Sequence, residues 1–108
     1  MTTIKNTNKS SIILASEVLK EGNLVSFPTE TVYGLGGDAT NNLAIAKIFE
    51  TKNRPEFNPL IIHFSSFDQV EENCEINDDI KKLSDLFWPG PMTVILKKKK
   101  ESKISELA

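Results

Sequence analysis

The chain has 108 residues, 39% of them hydrophobic and 26% charged, which is the composition of one globular domain with room for a core and none for a second domain. Thirteen Lys and Arg against fifteen Asp and Glu leave a formal net charge of -2, so no whole-protein field would draw nucleic acid and any anion site must be local. Cys74 stands alone, which excludes an internal disulfide and a cysteine-based zinc site, and the apolar run Ile12 to Leu14 is too short for an export signal or a membrane span. A cytoplasmic protein is expected.

Taken in chain order, Ser11 to Glu21 places Ile12, Ala15 and Leu19 on one face with Leu14 and Val18 beside them, and Gly22 follows where a left-handed cap would sit. This predicts an amphipathic helix. Leu24 to Phe27 is a short apolar run stopped by Pro28, the mark of a buried strand that delivers the loop FPTETVYGLGGD. Asn41 or Asn42 then caps a second helix carrying Leu43, Ile45, Ile48 and Phe49 and ending near Thr51.

TKNRPEFNP, Thr51 to Pro59, holds two X-Pro steps that push Arg54 and Asn58 toward an extended backbone. Leu60 to Phe64 has the composition of a strand, and a short helical or turn segment is expected around Asp68 to Glu72. Asp78 can cap a further helix with Ile80, Leu83, Leu86 and Phe87 inward, which WPGP ends at Trp88 to Pro91. Met92 to Leu96 is a last apolar run of strand length. The resulting order, α-β-α-β-α-β, indicates an α/β or mixed-sheet domain.

Chemistry-bearing residues gather in two of these loops. Thr29, Glu30, Thr31 and Tyr33 offer three hydroxyls and a carboxylate at a strand end, a set that suits a polar small molecule or serves only its own turn. The glycines 34, 36 and 37 match the loose dinucleotide pattern Gly-x-Gly-x-x-Ala, but Pro28 to Tyr33 separate them from the strand and no P-loop Lys-Ser/Thr pair follows. They allow positive φ, close backbone approach, or a tight turn.

Lys52 and Arg54 stand one residue apart, so on an extended backbone they face the same side and form a pair suited to phosphate, or a plain solvated pair. His63, the sole histidine, sits between Ile62 and Phe64, where a core or edge histidine is usual and a metal site lacks partners. Lys97 to Lys100 and Lys103 read as a solvated strand end or tail.

PTETVYGLGGDA, then KNRPEFNPLIIHF, then FWPGPMTVIL, in this order and spacing, closely resemble the YrdC family, the threonylcarbamoyl-AMP synthases of tRNA modification. The resemblance covers about Gly22 to Leu96 and corresponds to roughly the N-terminal half of the family's domain, so residues 1–108 are read as one partial YrdC-like domain with a mixed twisted sheet and flanking helices. The family's later Ser-x-Asn motif has no counterpart before Ala108.

The resemblance implies a nucleotidyltransferase that joins L-threonine, bicarbonate and ATP into threonylcarbamoyl-adenylate with release of pyrophosphate. Magnesium would accompany the ATP, and tRNA and the threonylcarbamoyl-transfer machinery would lie downstream. By motif, Thr31 and His63 would contact L-threonine, Arg54 and Asn58 would contact ATP, and Lys52 with Arg54 would be the catalytic cations. Glu30, Tyr33 and Gly34 would shape the pocket. Two alternatives accompany this reading: a double-stranded RNA or tRNA-binding module of the same fold, drawing on Lys47, Lys52, Arg54 and Lys97 to Lys100, and an inactive truncated product. The short apolar strands need cover on both faces, so the 108-residue chain alone is expected to associate and not to catalyse.

Overall fold

A computed structural model describes residues 2–55 and 58–108, so Glu56 and Phe57 of the proline-bracketed loop lie outside the described residues. The element order is α1 (Lys9–Lys20), β1 (Val25–Phe27), β2 (Gly34–Gly36), α2 (Asn42–Lys52), α3 (Phe67–Asn73) and α4 (Asp78–Phe87). The chain divides into two compact units, one of residues 1–61 with 105–108 and one of residues 62–104.

In the first unit, Asn8 starts α1 by accepting a hydrogen bond from the Ser11 amide at 2.9 Å, which satisfies one of the amides a helix start leaves unpaired. The helix closes as the glycine predicted. Gly22 takes φ +84, and the amides of Gly22 and Asn23 donate back to the carbonyls of Leu19 and Val18, a pairing open to a residue without a Cβ. The same device ends α2, where Asn53 takes φ 49 and the amides of Asn53 and Arg54 donate to Glu50 and Phe49.

Asn41 caps α2 through the amides of Leu43 and Ala44. This helix carries the core of its unit: Ala44, Ile45, Ile48 and Phe49 are buried, and Leu24, Leu60 and Ala108 pack against Ile45, Ile48 and Phe49. Ser105 fastens the chain there through its amide to the Ala39 carbonyl at 2.8 Å and its hydroxyl to Asn42 at 2.5 Å. Leu43, at the start of the helix, is 74% exposed, and the buried stripe runs through Ala44. α1 buries none of its residues, and Ile12, Ile13 and Leu14 stand exposed.

The strand Val25–Phe27 forms as expected, but its partner is the glycine segment. β1 and β2 pair antiparallel with Val25 opposite Gly36 and Phe27 opposite Gly34. The three glycines after Tyr33 adopt no positive φ; they make room. A Cβ on Gly36 would lie 2.8 Å from the Phe27 ring, and one on Gly37 would lie 2.9 Å from Leu24. The close approach expected of these glycines is therefore made by the chain's own side chains.

In the second unit, Ser66 caps α3 and Asn77 caps α4, one residue before the expected Asp78. An isolated antiparallel bridge joins Cys74 to Lys98, with the Glu75 amide on the Lys97 carbonyl and the Lys99 amide on the Asn73 carbonyl, both at 2.8 Å. α4 ends at Phe87, ahead of the prolines, and the Trp88 indole donates to the Met92 carbonyl at 2.7 Å. Its buried position is Ser84, whose hydroxyl donates to the Lys81 carbonyl. Leu86 and Phe87 point out, contrary to the expected inward face, and Leu83 is also exposed.

The runs Leu60 to Phe64 and Met92 to Leu96, expected as strands, form no ladder among the described residues. A strand is completed by a neighbour's backbone, and these runs have none. The alternating α-β order is accordingly replaced by α-β-β-α-α-α with a two-stranded sheet.

Candidate functional site

Two loops of the first unit hold most of the predicted residues. The hairpin connection Pro28 to Tyr33 is organised by Thr29: its hydroxyl donates to the Val32 carbonyl and its oxygen accepts from the amides of Thr31 at 3.3 Å and Val32 at 3.2 Å. One side chain thus takes up three backbone groups that the turn would otherwise leave to water. Thr31 enters this turn through its amide, so its exposed hydroxyl stays outside the turn's own hydrogen bonds. Glu30 is exposed as well, and Tyr33 is 74% exposed.

The second loop follows α2. Lys52 is the last helical residue and is exposed, while Arg54 is half-buried. The left-handed Asn53 between them removes the extended backbone on which the same-side argument rested. Arg54 instead turns into its own loop, with Nε on the Asn58 carbonyl at 3.0 Å and Nη2 on the Pro59 carbonyl at 2.9 Å. The Asn58 amide donates to the Pro55 carbonyl at 3.0 Å. Arg54 and Asn58 are therefore in contact, and the Asn58 side chain is exposed.

His63 belongs to the second unit and is exposed, not a core histidine. Among the described residues no three His, Cys, Asp or Glu side chains gather as a metal site would need. The lysine run is largely committed within its own unit: Lys97 lies 3.8 Å from Glu75, Lys98 donates to the Ile104 carbonyl, and Lys99 donates to the Glu71 carbonyl. Lys47 is tied to the Gly22 carbonyl and the Asn23 side chain, at 3.2 and 3.1 Å.

An open groove of about 550 Å³ lies in the second unit, lined by Glu71, Cys74, Ile76, Asp78 and Lys99 among others, and holds none of the residues expected to contact L-threonine or ATP. Burial pushes the Cys74 thiol above its ordinary pKa, and the nearby Lys99 pulls in the opposite direction. No helix among the described residues is long and apolar enough to cross a membrane.

Comparison with known proteins identifies the family. The Sua5/YciO/YrdC family model, described as telomere recombination, matches residues 17–108, and the chain belongs to this family. A threonylcarbamoyl-AMP synthase of Pyrococcus abyssi is 51% identical over 81% of the chain, and one of Bacillus subtilis is 46% identical over 84%. The chain spans 26% and 27% of those two relatives. The structure of P. abyssi Sua5 complexed with L-threonine superposes with a TM-score of 0.86 at 43% identity, covering 95% of this chain and 30% of the other. A variant of P. abyssi Sua5 gives a TM-score of 0.87, so the fold is that of a Sua5-type α/β domain over part of its length.

Thr29 plays the turn role that the sequence left open for it, and the ring of Phe27, expected as a strand residue, also fills the glycine floor. Asn53 is the residue missed from the sequence. Its place directly after a periodic apolar segment was a readable left-handed signal.

Proposed function

We propose that this chain carries part of a threonylcarbamoyl-AMP synthase site, in which Thr31 and His63 bind L-threonine and Lys52, Arg54 and Asn58 bind ATP. The observation that carries the reading is the hairpin loop: Thr29 alone satisfies the turn, which leaves the Thr31 hydroxyl exposed for a ligand. The names of the relatives and the L-threonine complex of one of them support the same assignment.

In this reading a carbamate formed from L-threonine and bicarbonate attacks the α-phosphate of ATP, and pyrophosphate leaves. No covalent nucleophile is required from the protein, so positioning and charge neutralisation carry the work. Lys52 supplies a point charge. The guanidinium N–H groups of Arg54 that do not hold Asn58 and Pro59 supply directed hydrogen bonds to phosphate. Magnesium would arrive on the nucleotide, and Glu30, Tyr33 and Gly34 would bound the amino-acid pocket. The adenylate would then feed threonylcarbamoyl transfer to tRNA.

Calorimetric titration tests this. Thr31→Val or His63→Ala should weaken L-threonine binding by the weight of one hydrogen bond, about 0.5–1.5 kcal/mol, and leave ATP binding intact. Equal losses of both ligands, or no binding of either by the unaltered chain, would overturn the assignment.

A further inference from the structure

The hydroxyl of Thr29 holds the hairpin loop, and its reach is specific. It bonds Val32 on the carbonyl side and Thr31 and Val32 on the amide side, which fixes the backbone on both flanks of the Thr31 side chain. The methyl group is placed as well. A Cβ built on Gly34 would meet the Phe27 ring at 3.3 Å and the Thr29 methyl at 3.6 Å, so the glycine leaves a shelf on which ring and methyl sit side by side.

We infer that Thr29 is a positioning residue for the amino-acid site: its hydroxyl sets the backbone that presents Thr31, and its methyl holds that hydroxyl in place against Gly34. The inference rests on the proposed role of Thr31 in binding L-threonine and adds a residue that need not touch the ligand. A preformed loop binds without the entropy of ordering its backbone at the moment of binding. A loop released from Thr29 would meet that cost on each binding event.

Three proteins separate the possibilities: the unaltered chain, Thr29→Val, which keeps the shape and removes the hydroxyl, and Thr29→Ser, which restores the hydroxyl without the methyl. Amide hydrogen exchange at Thr31 and Val32 is read without ligand, and calorimetry is run with L-threonine and with ATP. Thr29→Val should speed exchange at both amides and weaken L-threonine binding about fivefold to tenfold, while ATP binding holds. Thr29→Ser should recover most of the affinity. Unchanged exchange in Thr29→Val, or faster exchange with unchanged L-threonine affinity, would overturn the positioning role while leaving the site assignment standing. Failure of the unaltered chain to bind L-threonine would remove the site assignment, and this role with it.

Discussion

The two loops of the first unit are built to different depths. After the buried helix α2 the chain turns at a left-handed Asn53, and the half-buried guanidinium of Arg54 holds the carbonyls of Asn58 and Pro59. Residues 28–33 connect two three-residue strands and depend on a single exposed hydroxyl above a glycine floor. The first arrangement fixes a charge through the core, and the second holds its loop through one side chain. Loss of the core should therefore damage the cation loop more than loss of any one surface contact damages the hairpin.

The largest effect is expected from Ile45→Ala. Ile45 is 2% exposed at the centre of the α2 core, so truncation should cost about 2–5 kcal/mol, read by chemical denaturation. A loss below about 0.5 kcal/mol would mean that α2 does not anchor its unit. Next comes Arg54. Arg54→Ala should reduce ATP affinity far more than Lys81→Ala, whose cation serves Asp85 at 3.1 Å and the Phe67 ring at 4.3 Å. Arg54→Lys should rescue little, because an ammonium cannot fork onto the Asn58 and Pro59 carbonyls. Equal small losses in Arg54→Ala and Lys81→Ala would reduce Arg54 to a surface charge.

Gly22→Ala is smaller. Its φ of +84 and a new Cβ 2.7 Å from the Asn41 side chain should cost about 1 kcal/mol or more, seen as a lowered denaturation midpoint. An unchanged midpoint would show that the cap after α1 does not couple to the Asn41 cap of α2.

The smallest effect belongs to Cys74. Its folded pKa is raised above the ordinary 9.0 by burial, so the folded chain holds the thiol proton more tightly than the unfolded chain. Its share of stability is intact below that ordinary value and fades as pH rises through the folded pKa. Cys74→Ala should flatten the alkaline limb of the stability profile, and an unchanged limb would contradict the burial. Exposed Ile12, Ile13, Leu14 and Ile95 add an expectation for the chain as a whole: concentration-dependent association in sedimentation velocity, which a clean monomer at high concentration would refute.

Local signals were legible in the sequence and pairing was not. The caps at Asn41 and Gly22 follow from side-chain chemistry within a few residues, and both occur where that chemistry places them. The segment Gly34–Gly36 escaped notice because glycine is depleted from strands, and only the Phe27 ring lying across it explains its use there. Leu60 to Phe64 and Met92 to Leu96 have strand composition, but composition cannot supply a partner. The candidate site follows the same rule: its motifs single out Thr31, Lys52, Arg54 and Asn58 as candidates. The turn at Asn53 and the carbonyls that hold Arg54 depend on the folded backbone.

In the proposed function, two loops divide two ligands between them. Two-dimensional 1H–15N NMR of the chain, titrated separately with L-threonine and with magnesium-ATP, tests it most directly. L-threonine should move the amides of Thr29 to Tyr33 together with His63, and ATP should move those of Lys52 to Arg54 and Asn58. Shifts confined to the groove around Glu71, Cys74 and Asp78, or the same set of amides responding to both ligands, would contradict it.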